Sequence, residues 1–343
     1  MIIPYASALN KWNEKKAANI KASTVLQQAT LPHNRAATPE SAAEYWLMRG
    51  EKMAECATKI IYNYCAECGS MHIAKTNLCR DRLCPLCSWR LALQRSGEMM
   101  ATLNHLAESG LEIRAAMITL TIKNVRLQGL SEALEAILDA WSRLRKRTIW
   151  KKWIAGYARS IEVTKGKKGT YHPHMHIFII WKDGYQKNIS QRELCNLWKE
   201  SLRVDYIPVC DIRAAYCSDN ALDPQSQEWN GLIKAAIEAT KYALSGKVTL
   251  GINEPNELAA LALAVKNRRL LAYGGIIADA RKELKFADDD SPADVSEMTI
   301  ECPKCGGNIV QFAFEWGISG YCMGLMPTVP TEYPVIDSVY YTE

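Results

Sequence analysis

The segment Tyr171-His172-Pro173-His174-Met175-His176-Ile177-Phe178-Ile179-Ile180 places three of the chain's six histidines on alternate positions. Successive side chains on a strand point to opposite faces, so His172, His174 and His176 share one face. Pro173, Met175, Ile177 and Ile179 share the other, which is the apolar side that such a strand buries. Two imidazoles held side by side on a rigid strand form half of a metal site. Alternating histidines also occur where each ring merely hydrogen-bonds a neighbour.

Two further segments repeat the two-faced design. In Tyr157–Thr164, Ser160, Glu162 and Thr164 lie opposite Ile161 and Val163. The basic, glycine-punctuated run Lys165-Gly166-Lys167-Lys168-Gly169-Thr170 joins this segment to the histidine strand as a hairpin. In Met117–Lys123, Thr119 and Thr121 lie opposite Ile118, Leu120 and Ile122. A hairpin that carries Glu162 across from the histidine pair makes a set of two imidazoles and one carboxylate. Such a set suits Mn²⁺ or Mg²⁺, and imidazole also admits Zn²⁺, Co²⁺ or Ni²⁺. Three protein ligands leave coordination positions open to substrate. The competing reading leaves Glu162 as a solvated strand residue.

Downstream, Glu228–Leu244 has helical spacing: Ile233, Ile237, Thr240 and Leu244 make a buried stripe, and Lys234, Glu238, Lys241, Tyr242 and Ser245 an adjacent polar one. Glu238 and Tyr242 are four apart and so lie one turn from each other. A helical tyrosine is ordinarily a packing residue, but this one is flanked by a carboxylate and an ammonium group. With a pKa of about 10 a phenol is a weak nucleophile at neutral pH. A metal that polarises a phosphate, with Lys241 offsetting the developing charge, would supply the missing activation.

The chain has twelve cysteines, no hydrophobic leader and no long apolar span. That combination predicts a cytoplasmic protein without membrane association, whose thiols bind metal rather than pair. Cys65-x2-Cys68 and Cys84-x2-Cys87 are separated by 15 residues, the spacing of a zinc ribbon or knuckle that closes four thiolates around a structural Zn²⁺. Cys79 and His72 fall between the pairs and can replace a ligand. A further pair, in Cys302-Pro303-Lys304-Cys305-Gly306-Gly307, looks like half of another ribbon, and Cys322 alone follows it. Its fourth ligand would come from Cys195, Cys210, Cys217 or an oxygen donor. The alternative is a degenerate remnant that binds nothing.

Four motifs stand in order over about residues 65 to 247: the Cys-rich segment, Ile118-Thr119-Leu120-Thr121, the His-Pro-His-Met-His strand, and Glu238-x-x-Lys241-Tyr242. In this the chain resembles the rolling-circle plasmid replication initiators of the HUH endonuclease superfamily, of the single-tyrosine type. The resemblance implies a site-specific single-strand DNA endonuclease and strand transferase. His174 and His176 would be metal ligands with Glu162 as the third, holding Mn²⁺ or Mg²⁺, and Tyr242 the nucleophile that takes the 5′ phosphate and frees a 3′ hydroxyl primer. Glu238 would activate water in the last cleavage. The implied partners are single-stranded or hairpin DNA at a plasmid origin, a host helicase and a single-strand-binding protein. An HUH transposase or relaxase shares the chemistry, although the single tyrosine with its glutamate favours replication. An iron oxygenase would use a further histidine from a later strand, and no histidine follows His176. A non-catalytic, zinc-dependent DNA-binding regulator accounts for the cysteines but not for Glu162, His174, His176 and Tyr242.

A net charge of +5 is too mild to prove nucleic-acid binding, but its distribution is uneven. From Arg143 to Lys168 ten Lys or Arg residues stand against one acid, Glu162. Arg143, Arg145, Lys146, Arg147, Lys165, Lys167 and Lys168 are the expected phosphate contacts. The coarse order of helices and strands predicts an α+β fold, an antiparallel sheet whose aliphatic face is covered by helices while the polar face stays open. The ferredoxin- or RRM-like core is what the resemblance implies. The expected divisions are a partly helical arm over 1–55, whose first forty residues read as partly flexible, a zinc module over 56–98 and the endonuclease domain over 110–250. A helical accessory region over 251–295 and a tail over 296–343 with the second half-site complete the chain.

Overall fold

The computed structural model describes residues 5–166, 169–182, 189–216, 227–240, 249, 251–287 and 301–323. The chain divides into two compact units, one made of residues 1–91 with 291–343 and the other of residues 92–290. The second is thus an insertion within the sequence of the first, and the tail expected to stand apart belongs with the N-terminal segments.

In the first unit, α1 (Tyr5–Gln27) packs on α2 (Pro39–Ala54). The Thr38 side chain caps α2 by accepting the Ser41 N–H, and proline occupies the first helical position, where a missing N–H costs nothing. Trp12, Leu26, Trp46 and Met53 are fully buried. The arm is helical, and its first forty residues, read as partly flexible, hold α1 packed on α2. Its periodicity is weak in the sequence because Lys16, Asn19 and Ser23 also lie on the buried side. Lys16 and Asn19 compensate by donating to carbonyl oxygens at the end of α2, Asn19 to Met53 at 2.6 Å and Lys16 to Ala54 at 2.6 Å. The unit's sheet runs in the order β10 (Gly320–Met323), β9 (Ile309–Gly317), β1 (Lys59–Cys65), β2 (Met71–Thr76), all antiparallel. Helix α3 (Pro85–Glu108) begins in this unit and continues into the next.

The second unit is built on an open antiparallel sheet in the order β7 (Cys210–Tyr216), β3 (Arg114–Thr121), β6 (Thr170–Trp181), β5 (Ile154–Lys165), β8 (Leu271–Gly275), with the short β4 (Val125–Arg126) also pairing with β6. The back of the sheet carries Ile118, Leu120, Ile161, Val163, Met175 and Ile177, all buried. Helix α4 (Leu130–Lys146) covers that face, its Trp141 ring edge-on to Tyr157 with centroids 5.0 Å apart. Helices α6 (Gln191–Leu202) and α8 (Pro255–Val265) pack beside it, after the short α5 (Thr148–Trp153). The predicted capping box is present: Ser190 accepts the Glu193 N–H while the Glu193 carboxylate accepts the Ser190 N–H.

The front face departs from expectation, because only half of it is polar. Ala115, Ala158, Phe178, Ile180 and Ala215 make an apolar end, covered by α3, by α7 (Gln227–Glu238) and by α9 (Ile276–Glu283) through Leu103, Leu232, Ala236 and Ile277. The even-numbered positions of β6 change from imidazole to Phe178 and Ile180 as the strand runs on, so one face serves as site at one end and as core at the other. The accessory region expected over 251–295 also contributes to the sheet through β8. That pairing requires glycine, since a Cβ at Gly274 would stand 2.3 Å from the Tyr157 ring and Gly275 adopts φ +58°. Among the described residues no helix is long and apolar enough to cross a membrane.

Phe178 anchors the apolar end of the site face. Phe178→Ala is expected to destabilise the protein by about 3–5 kcal/mol, measured as a lower urea midpoint with unchanged slope.

Candidate functional site

The pairing of β5 with β6 sets Glu162 directly across from His174 and Ser160 across from His176. On the other side of β6, Thr119 of β3 is also opposite His176. The Nε2 atoms of His174 and His176 each lie 3.4 Å from the same Glu162 oxygen, Oε2. The side chains of His174, His176 and Glu162 are largely buried, at 12%, 13% and 17% exposed.

The outer nitrogens of both rings are already engaged. His174 Nδ1 lies 3.2 Å from the His172 carbonyl oxygen, which can only accept, so Nδ1 carries a proton and donates it. His176 Nδ1 lies 3.2 Å from the Thr119 hydroxyl. These contacts aim Nε2 of each ring at the carboxylate. Burial pushes the Glu162 carboxyl up, but the two imidazoles beside it prevail and hold it at about 2. Both Nε2 atoms thus face one carboxylate oxygen, and this set of nitrogen and oxygen donors fits a divalent ion.

His172 stands apart from this group. Its ring stacks on His174 with centroids 5.3 Å apart, and its Nδ1 lies 2.7 Å from Asn124 Oδ1. Burial and the neighbouring His174 both lower its pKa.

The cysteines group differently from their spacing. Cys65 and Cys68 do not meet Cys84 and Cys87; the structure forms two separate sets, Cys56, Cys79, Cys84 and Cys87, and Cys65, Cys68, Cys302 and Cys305. In each set the four sulfurs lie within 4.8 Å of one another. The reason is topological: β1 pairs with β9 along its whole length, which brings Cys65 to Ile309 and the Cys302–Cys305 turn beside it. Of the two substitutes, Cys79 joins Cys84 and Cys87, while the His72 ring takes a hydrogen bond from Asn63 at 3.2 Å. Cys322 lies on β10 outside both sets, and Cys195 and Cys210 belong to the other unit. Cys217 lies outside the described residues. Cys56, preceding β1 and part of no Cys-x2-Cys motif, gave no local signal.

All four thiols of the Cys56 set are buried. Backbone N–H groups point at its sulfurs: Cys79 to Cys56 at 3.3 Å, Arg80 to Cys87 at 3.2 Å and Cys87 to Cys84 at 3.4 Å. Hydrogen bonds from Cys79, Cys84 and Cys87 hold the Cys56 thiol well below its ordinary range, while burial pushes Cys84 up. Alongside, the fully buried Lys16 ammonium donates to the Cys56 carbonyl at 2.6 Å. Four buried sulfurs that gather backbone N–H donors suit thiolates around a metal.

The profile of the replication-protein family matches residues 70–321, which include the whole histidine site. The chain belongs to this family, the initiators of rolling-circle plasmid replication. The initiator is 30% identical to a Rep protein of Lentilactobacillus hilgardii over 230 residues, 65% of this chain and 71% of the relative. It is 30% identical to one from a Bacillus species over 268 residues, covering 75% and 87% of the two chains. A Bacillus amyloliquefaciens Rep protein is 27% identical over 307 residues, covering 85% and 89%. No solved structure matches.

Other residues expected at the initiator's site are placed unevenly. Glu238 is half-buried at the end of α7, whereas Lys241, Tyr242, Lys167 and Lys168 lie outside the described residues. Lys165 pairs with Glu257 at 2.9 Å. Arg143 donates to the Ser201 carbonyl at 2.7 Å and Arg147 to Glu200 at 2.6 Å, so both turn toward α6 behind the sheet and not toward the histidines. Arg145 and Lys146 are exposed on the same helix. Arg159, counted in the basic run, is buried and donates to the carbonyls of Arg269 and Leu270.

Thr119 is the positioning residue that the sequence pattern placed on the right face without assigning it a part. Thr119→Val keeps the shape and removes the hydroxyl beside His176. It is expected to weaken Mn²⁺ binding about 10- to 100-fold, read by calorimetric titration, with thermal stability little changed.

Proposed function

We propose that this initiator nicks one strand of its plasmid origin and holds the 5′ end as a phosphotyrosine. The convergence of His174 Nε2 and His176 Nε2 on one Glu162 oxygen, 3.4 Å from each, carries the reading. These three residues would hold Mn²⁺ or Mg²⁺, which when bound polarises the scissile phosphate. The Tyr242 phenol oxygen attacks phosphorus and gives up its proton to solvent. The bond from phosphorus to the 3′ oxygen breaks, and that oxygen takes up a proton to become the free 3′ hydroxyl primer. Lys241 offsets the extra negative charge of the five-coordinate phosphorus. At termination Glu238, four residues before the tyrosine in the sequence, takes a proton from water so that the second cleavage ends in hydrolysis and not in a new adduct.

The Cys56, Cys79, Cys84 and Cys87 set would hold a structural Zn²⁺, closed to substrate by four thiolates. Origin DNA, single-stranded or folded as a hairpin, would meet the basic run Lys165, Lys167 and Lys168 that precedes β6 in the sequence. Host helicase and single-strand-binding protein would act on the strand so exposed. A purely DNA-binding regulator leaves the buried meeting of two imidazoles and a carboxylate without purpose.

The reading is tested on a denaturing gel with single-stranded oligonucleotides spanning the plasmid origin. A covalent protein–DNA band is expected only with Mn²⁺ or Mg²⁺, and Tyr242→Phe and Glu162→Ala should each reduce it at least 100-fold. Cleavage that persists in Tyr242→Phe would move the nucleophile elsewhere, to Tyr206 or Tyr216. DNA binding without cleavage by the unaltered protein would favour the regulator. Glu238→Ala should still nick, but covalent adducts should accumulate at the end of a replication round, as counted by phenol partition of labelled DNA.

A further inference from the structure

We infer that Cys65, Cys68, Cys302 and Cys305 hold a second structural zinc ion, which clamps the chain's C-terminal strands onto its N-terminal hairpin. The two contributing turns are copies of one device. Each reads Cys-x-x-Cys-Gly, as Cys65-Ala66-Glu67-Cys68-Gly69 and as Cys302-Pro303-Lys304-Cys305-Gly306. Each glycine adopts a left-handed backbone, with φ +70° at Gly69 and +74° at Gly306. Each donates its N–H to the carbonyl of the first cysteine, at 2.9 Å in one turn and 2.7 Å in the other. Such a turn folds both sulfurs to one side, and two of them facing each other make the four corners of a ribbon site.

Sulfur distances agree with a shared ion. Cys65 and Cys305 stand 3.5 Å apart, and Cys68 and Cys302 3.6 Å. A tetrahedron with zinc–sulfur bonds of about 2.3 Å has edges of about 3.8 Å, whereas a disulfide needs about 2.05 Å. Both close contacts join one turn to the other, across 240 and 234 residues of chain. Ser70 lies in the cluster, its hydroxyl 3.1 Å from the Cys68 sulfur and 3.3 Å from that of Cys302. The Asn308 N–H donates to Glu67 at 3.3 Å, a further link between the turns. By contrast Cys84-x2-Cys87 runs into Ser88 and the first turn of α3, so it lacks the glycine turn and joins Cys56 and Cys79 instead.

The two sets also differ in access. Cys305 is exposed and Cys68 half-buried, while every cysteine of the Cys56 set is buried. The ribbon zinc is therefore the one that a chelator removes first.

The test counts metal in full-length protein from zinc-supplemented culture, by plasma mass spectrometry. Two zinc ions per chain are expected in the unaltered protein and one in Cys302→Ser/Cys305→Ser, with two retained in Cys322→Ser. A double variant that keeps two ions, or an unaltered protein that carries one, overturns the proposal. So does peptide mapping that finds Cys65 and Cys305 in a disulfide. Should the double variant fail to fold, Co²⁺ titration of the metal-stripped unaltered protein decides: thiolate-to-cobalt absorption saturates at two equivalents, and saturation at one overturns the clamp. Metal counts are read whether or not the protein cleaves DNA, so this result and the nicking assay stand or fall separately.

Discussion

The register of β6 between β5 and β3 governs everything at the histidine site. Alternation along a strand has a period of two, so a slip of one residue would turn the imidazoles into the core and bring Met175 and Ile177 to the surface. The buried back face, with Ile118, Leu120, Ile161 and Val163 around them, makes that slip costly. The residues that hold the geometry are thus aliphatic side chains pointing away from the chemistry. Glu162 meets His174 because the hairpin is locked from behind, and the Thr119 hydroxyl meets His176 for the same reason on the other side.

Much of this part was legible in the residues themselves. A sharp division between short polar and aliphatic side chains at period two is the least ambiguous signal a strand can give, and all three such strands form, although β3 ends at Thr121 and leaves out Ile122 and Lys123, which the pattern had included. The capping box at Ser190 and Glu193 was equally plain, being a local arrangement of one helical turn. What escaped was whatever depended on distant partners. Polar side chains on the hidden side of α1 blurred its periodicity, because Lys16 and Asn19 satisfy themselves on backbone carbonyls over 30 residues away. Strand β8 is five residues with two glycines, a segment whose meaning lies in the Tyr157 ring it must clear.

The cysteines show the same limit more sharply. Spacing along the chain suggests that neighbouring Cys-x2-Cys pairs share an ion, yet the partner of a thiol is chosen by which strands pair. Since β1 lies beside β9, proximity in space overrules proximity in sequence. The glycine after Cys68 and after Cys305, and the serine after Cys87, were the local marks that separated the pairs, and they concern backbone handedness more than ligand spacing.

The insertion of one unit within the other has a consequence for synthesis on the ribosome. Strand β1 emerges early, but the strand that covers its outer edge, Ile309–Gly317, is translated only after the entire inserted unit. Through that interval the nascent chain carries an uncovered edge bearing Ile60, Tyr62 and Tyr64, the kind of surface that recruits other strands. Domains made in one piece can fold as they appear. Here the first unit begun is the last completed, since its sheet is filled only when β9 and β10 have followed the inserted unit out of the ribosome.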